Sequence, residues 1–206
     1  GQLVSRIRED IDRGSSYDGR IKQAVVDAIR FYRSNRLPFN TKRARAVTQP
    51  DQEYYPLPLD WIEADFLRLE TDGNRDPIRP VTYDWIEDHN RTDGDTGRPL
   101  KYAVQNSELR LYPVPDRSYT LVLSFLYDLQ SVSISASDDA TNSWTDEAEE
   151  LIRKHAMSDL YVNYIDGPES VAKGQLLRRE CSDEIHPVLV SKAARQNSSG
   201  RTRAFI

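Results

Sequence analysis

Apolar residues first recur at helical spacing: Ile21, Ala24, Val25, Ala28, Ile29 and Tyr32 share one face of the segment 16–35. Asp18 stands where a cap or first-turn acid belongs, and Asn35 with Pro38 marks the exit. Before it, LVSRIREDI predicts a shorter helix that ends near Gly14. From Thr41 the period changes. Pro56 and Pro58 impose extended dipeptides, and they lead into WIEADFLRLET, an apolar run in which Asp65 and Arg68 flank Phe66. TDGNRDP predicts a turn, IRPVTYDWIEDHN either a strand or a short helix, and RTDGDTGRP a second turn or loop. In LKYAVQNSELRLYPVP the alternation of Tyr102 and Val104, then of Leu109 and Leu111, brackets Asn106-Ser107 and predicts a hairpin.

The strand that follows carries Tyr119, Leu121, Leu123 and Phe125 on one side and Thr120, Val122, Ser124 and Leu126 on the other. One side is wholly apolar and the other mixed, which predicts a sheet packed on one face and partly covered on the second. After a polar connector, TDEAEELIRKHAMSDLYVNYI returns to helical period. Thr145 is its expected N-cap, Asp146, Glu147 and Glu149 crowd its first turn, and Gly167-Pro168 closes it. A last helix begins near Pro168 and Glu169, is weakened by Gly174, and is bent, interrupted or ended at Pro187.

The order predicts an α+β fold. A bundle of N- and C-terminal helices is interrupted by an inserted antiparallel β-sandwich or small barrel domain, with an extended C-terminal arm. The expected division is an N-terminal helical segment over 1–41, the β domain over 42–137, a C-terminal helical segment over 138–191 and a basic arm over 192–206. The arm holds Lys192, Arg195, Arg201 and Arg203 without an acid and ends in Phe205 and Ile206. It reads either as a frayed terminus or as a docking arm that orders on a partner.

Composition narrows the function classes. Charged residues make up 30% of the 206, yet 11 Tyr, 5 Phe and 3 Trp are too many for a disordered chain, so real cores with extensive solvated or subunit-facing surface are expected. A net charge of -5 disfavours a general nucleic-acid coat. No apolar run approaches the roughly 18 residues of a membrane span. The opening GQLVS matches an acylation pattern, and Asn90 and Asn197 sit in glycosylation patterns, all matches too short to carry weight.

Candidate chemistry is sparse. His89, His155 and His186 fit no metal-ligand spacing, and His155 lies on the packing face of its helix. Asp93 and Asp95 could approach a hard cation, but the calcium-loop pattern is absent; Asp138-Asp139 reads as solvated connector. Cys181 forms no internal disulfide, being the single cysteine, and Arg178 and Arg179 stand within a turn of it. Lys42, Arg43 and Arg45 could meet phosphate, or pair with a neighbouring subunit, or lie in a solvated linker. No catalytic, cofactor or metal site is assigned, and no enzyme activity is expected.

Three landmarks matter in combination: YPLPLDW leading into a strand, LRLYPVPDRSYTLVLSFLY, and TNSWTDEAEELIRKHAMSDLYVNY opening a helix. In this order the chain resembles the head-to-tail connector (adaptor) proteins of tailed bacteriophages, particularly the short-tailed ones, over roughly residues 15–190. Pro58, Asp60 and Trp61 match the start of the inserted sheet. Tyr112, Pro113, Pro115 and Tyr119 match its late hairpin, with Leu111, and Trp144 matches the entry to the returning helix. The resemblance implies a virion structural protein at the head–tail junction, made in the host cytoplasm. It implies a homo-oligomeric ring, commonly of twelve subunits, between the portal protein and a tail or nozzle protein. Genome passage through the channel would involve at most weak, non-specific DNA contact, with no membrane and no cofactor. Arg195, Arg201, Arg203, Phe205 and Ile206 would form the portal-docking arm. The alternatives from other classes are a host- or carbohydrate-binding virion module using exposed Trp and Tyr, which Trp61 and Trp85 lying together on an open surface would favour, and a metal-dependent hydrolase with its metal at the aspartate loops.

Overall fold

The computed structural model describes residues 2–71, 74–90, 95–128 and 143–199, with side chains of the last helix described through Arg195. The chain divides into two compact units, Gly1–Asn40 with Asp128–Ile206, and Thr41–Tyr127.

In the helical unit, α1 (Gln2–Asp10) and α2 (Asp18–Tyr32) precede α4 (Ser143–Glu147), α5 (Glu149–Asn163), α6 (Ser170–Glu180) and α7 (His186–Ser199); α3 (Tyr83–His89) belongs to the other unit. The six apolar positions predicted to share a face of α2 are its six buried residues. They pack with Ile7, Leu37, Trp144, Leu151, Ile152 and Leu160 into one core. Asp18 serves as a first-turn acid rather than a side-chain cap, and both of its carboxylate oxygens accept from Arg8 (3.1 and 3.2 Å).

Thr145 is not the N-cap of the long helix. It lies inside the short α4, and α5 starts only at Glu149, after Ala148 leaves helical geometry at φ −121°, ψ 22°. The break lets Trp144 and Ala148 both bury, and Trp144 meets Phe39 edge-on at 5.1 Å. Glu149 and Glu150 then occupy the positive end of α5.

The expectation of an extended arm from residue 192 is also corrected: α7 stays helical through Ser199. Pro187 neither ends nor breaks the helical path. A π turn over Cys181–Ile185 precedes it, with the His186 N–H donating to the Cys181 carbonyl five residues back. Widening the ring there accommodates a proline that has no N–H and crowds the preceding turn. Beyond it, Lys192, Ala193, Ala194, Arg195 and Gln196 are good helix formers.

The sheet unit contains β1 (Thr41–Val47), β2 (Tyr54–Pro56), β3 (Trp61–Thr71), β4 (Asn74–Pro80), β6 (Lys101–Gln105), β7 (Glu108–Tyr112) and β9 (Thr120–Tyr127) in one seven-stranded sheet. Its order is β1-β9-β3-β4-β6-β7-β2, and it forms a half-barrel. Within this sheet the expected all-antiparallel pattern fails at one place. IRPVTYDWIEDHN is both strand and helix: β4 runs to Pro80, α3 (Tyr83–His89) follows, and the chain returns in β6 parallel to β4. Parallel neighbours need such a crossover, and α3 supplies it. A second parallel pair joins β5 (Thr96–Gly97) to β8 (Val114–Pro115).

The hairpin of β6 and β7 forms as predicted, with Asn106 and Ser107 at φ 50° and 63° in the two-residue turn. β9 lies between β1 and β3 and is buried on both faces, more fully than its pattern predicted. Leu121, Leu123 and Phe125 join the core with Leu57, Leu67, Leu69, Leu109 and Leu111. On the opposite face, Val122 stands in register between Arg45 and Arg68, and Ser124 between Arg43 and Phe66. The Arg68 guanidinium lies 4.2 Å from the Phe66 ring. Aliphatic arginine stems thus cover a face that sequence periodicity leaves half polar.

Candidate assembly site

β1 is one end of the sheet, and the basic stretch TKRARA is this strand rather than a linker. Its cations are bound within the unit. Lys42 Nζ is 2.5 Å from Asp60 Oδ2 and 3.9 Å over the Tyr127 ring, and Arg45 is 3.2 Å from Glu70. Arg43 lies 5.8 Å from the Phe66 ring. Such exposed pairs set register more than they stabilise.

By alternation Ala44 and Ala46 lie on the face of β1 that Leu121 and Leu123 share with the sheet core. Ala44 stands opposite Leu123, and Ala46 opposite Leu121. Two methyl groups cannot fill the space that larger side chains would occupy. An apolar cleft of about 300 Å³ opens there, lined by Ala44, Ala46, Tyr55, Leu57, Leu109 and Leu121 among others. Both ends of the sheet border it, β1 on one side and β2 on the other. Pro56 and Pro58 remove backbone donors along the β2 side, whereas β1 contains no proline.

The landmark residues hold the sheet together. The Trp61 N–H donates to the Pro58 carbonyl (3.0 Å), and Pro115 pairs with Gly97 and accepts from the Asp51 N–H (2.9 Å). The Tyr112–Pro113 peptide is cis. Tyr119 donates its N–H to Thr48 Oγ1 (2.8 Å) and its hydroxyl to Asp116 (2.7 Å). Trp61 and Trp85 are half-buried: Trp61 packs against the sheet core, and Trp85 is stacked on His89 at 3.7 Å under Lys101. Neither offers a bare platform to a sugar.

One network escaped the sequence reading. Arg110, an ordinary outward position of the hairpin by alternation, is only 4% exposed. Its guanidinium donates to Glu53 and Glu87 and lies between the rings of Tyr54 (5.4 Å) and Tyr83 (4.8 Å). Glu87 comes from α3, so the crossover that the sequence left undecided is what buries this cation.

In the helical unit, His155 is buried. Its Nδ1 is 3.0 Å from the Tyr32 hydroxyl, and its Nε2 3.1 Å from the Arg178 guanidinium. Arginine only donates, so Nε2 accepts, and the neutral ring carries its proton on Nδ1 toward Tyr32. Burial holds the imidazole below its usual pKa, aided by Arg178 and opposed by Asp159, 3.9 Å away. Burial, with Cys181 nearby, raises Tyr32 to about 12. Cys181 is itself buried, and its thiol is pushed up to about 11, so Arg178 does not activate it.

His89 is exposed and contacts its own helix, with Nδ1 2.7 Å from the Trp85 carbonyl. His186 lies 5.4 Å from the Tyr32 ring. The Asp95 carboxylate accepts from the Tyr112 hydroxyl (2.7 Å), and Asp93 lies outside the described residues. Among the described residues no three His, Cys, Asp or Glu side chains converge as a metal site would require. Of the expected docking arm, Arg195 is exposed on α7, while Arg201, Arg203, Phe205 and Ile206 lie outside the described residues, as does Asp138-Asp139.

A helical unit built from both chain ends, with a half-barrel inserted between them, is the architecture the landmarks implied. The model of the family described as SU10 adaptor protein matches residues 1–203. The chain belongs to the SU10 adaptor family. No curated protein matches it. This adaptor is a structural protein of the phage virion, placed at the head–tail junction, where it links portal and tail components. Its working parts are accordingly surfaces, and the residues above matter through what they hold in place.

Proposed function

We propose that the adaptor works as a closed homo-oligomeric ring, of about twelve copies by its resemblance to connectors, seated between the portal and the tail or nozzle. A closed ring needs two different, mutually complementary faces on each copy. The observation that carries the reading is that an adaptor matched over nearly its whole length also presents two unlike surfaces. The helical unit exposes Leu176 (57%) and Val188 (67%) on α6 and α7, and among the described residues the sheet ends in β1 beside an apolar cleft.

The basic terminal stretch with Arg195, Arg201, Arg203, Phe205 and Ile206 supplies the portal-docking arm, following α7 in the chain. Lys42, Arg43 and Arg45, bound to acids and aromatic rings of their own unit, leave the lumen only weak, non-specific attraction for DNA. That suits a channel through which a genome must slide. Native mass spectrometry of the chain mixed with its portal tests the reading. A single discrete ring mass bound to the portal is expected, and a monomer that leaves the portal bare would overturn it.

A further inference from the structure

We propose that His155, Asp159 and Arg178 form a proton-operated latch. It holds the end of α6, with the π turn and α7 that follow, on α5 near neutral pH and releases them on acidification. The inference is independent of the ring reading and concerns the helical unit alone.

The latch is built on one nitrogen. His155 Nε2 lies 3.1 Å from the Arg178 guanidinium and 3.9 Å from Asp159 Oδ2, and Arg178 is in turn 3.6 Å from Asp159 Oδ1. His155 and Asp159 are one turn apart on α5, whereas Arg178 comes from α6. With the ring neutral, Arg178 donates to Nε2 and pairs with Asp159, so one guanidinium ties α6 to α5 twice. Nδ1 keeps its proton toward Tyr32 in either state, and titration changes only the side of the ring that faces α6.

Protonation reverses the arrangement. Nε2 becomes a donor, and two cations then stand 3.1 Å apart. Asp159 can serve the imidazolium within its own helix. The Arg178 side chain is 52% exposed and can turn to water, which the 3% exposed ring cannot. The proton thus exchanges an ion pair between helices for one within a helix.

The other groups around the ring do not replace the lost tie. From α2 come the Tyr32 hydroxyl and the Phe31 ring, 4.9 Å from the imidazole. Behind Tyr32, His186 of α7 stands 5.4 Å from its ring, and the buried His186 Nε2 has no hydrogen-bond partner among the described residues. A charge there would likewise act against the packing of α7. Nearer the start of α6, the uncharged Ser158–Gly174 bond keeps that end on α5. The far end has Arg178, the partly exposed Lys154–Glu180 pair and the weak donation from the Cys181 thiol to the Leu151 carbonyl (3.7 Å).

The direction follows from linkage. Burial holds the latched imidazole below the ordinary 6.5, so the released state binds the proton more readily. The latched state is favoured above about 6.5 and loses ground as pH falls toward the latched pKa, by up to about tenfold per pH unit.

Hydrogen exchange of the full-length chain between about pH 7.5 and 5, read by mass spectrometry and normalised to intrinsic rates, tests the latch. Protection of residues 175–195 is expected to fall by up to about tenfold per pH unit below about 6.5, while that of α2 stays within about twofold. Equal loss in both segments would show acid unfolding of the whole unit and overturn the proposal, as would protection of 175–195 that ignores pH. Arg178→Gln, at an exposed position, should lower protection of that segment at neutral pH and remove most of its pH dependence. A dependence equal to that of the unsubstituted chain would overturn the latch. Asp159→Asn should move the transition to lower pH, because the carboxylate draws the proton to the imidazole. An unmoved transition would overturn the exchange of partners.

Discussion

Ser158 donates its hydroxyl to the Gly174 carbonyl across 2.8 Å, at the point where α6 passes against α5 with no side chain between the backbones. A Cβ built on Gly174 would stand 2.7 Å from Val162 Cγ2, 2.9 Å from the Ser158 carbonyl oxygen and 3.2 Å from Tyr161 Cβ. The glycine that weakens α6 by propensity is therefore what allows the two helices to approach.

Gly174→Ala is expected to destabilise the protein by about 1–3 kcal/mol through this overpacking, outweighing the gain of about 1 kcal/mol in helix propensity. The Ser158 carbonyl belongs to a helix backbone and cannot move aside cheaply. Urea unfolding followed by circular dichroism reads the difference; a stabilised variant would show that the crossing is looser than described.

The Arg110→Ala change is expected to cost about 3 kcal/mol, because it leaves the Glu53 carboxylate, 20% exposed, without its cation. Glu87 is 54% exposed and contributes little to that loss. Arg110→Lys should recover only part of the stability, since an ammonium cannot bridge two carboxylates and lie between two rings in the same way. Thermal melts of the three chains rank them.

Lowering the pH should weaken the helical unit through His155. Its pKa in the folded chain lies below the ordinary 6.5, so the unfolded chain binds the proton more readily. Stability is fully present above about 6.5 and falls as pH drops from there toward the folded pKa. The slope of unfolding free energy against pH over that window should flatten in His155→Gln. An unchanged slope would assign the dependence to other groups.

Cys181 should resist thiol reagents in the native state. It is 1% exposed, and burial raises its pKa to about 11, which leaves little thiolate near neutrality. Modification by a chromogenic disulfide is expected only at the rate of unfolding, and rapid labelling of folded protein would contradict the packing around α5.

Removing residues 196–206 should leave the unfolding transition of the remaining chain nearly unchanged while weakening attachment to the portal. Co-sedimentation with portal rings measures the second effect, and unaltered attachment would reject the docking arm.

Where periodicity and turn chemistry decide structure locally, the sequence was sufficient. The six buried positions of α2, the Asn106-Ser107 hairpin and the alternation of β9 all follow from side-chain spacing and backbone preference, which act over a few residues. The order helix, sheet, helix was legible for the same reason, and the landmark stretches with it.

What only the tertiary structure decided concerns contacts between segments far apart in the chain. Arg110 looks solvent-facing until α3 crosses over it, Gly174 looks like a weak point until α5 lies against it, and Pro187 looks like a stop until a π turn absorbs it. Ala44 and Ala46 look unremarkable in a basic strand until the sheet curves and their small size leaves a cleft. Each outcome depends on which distant backbone comes near, and local propensity carries no information about that.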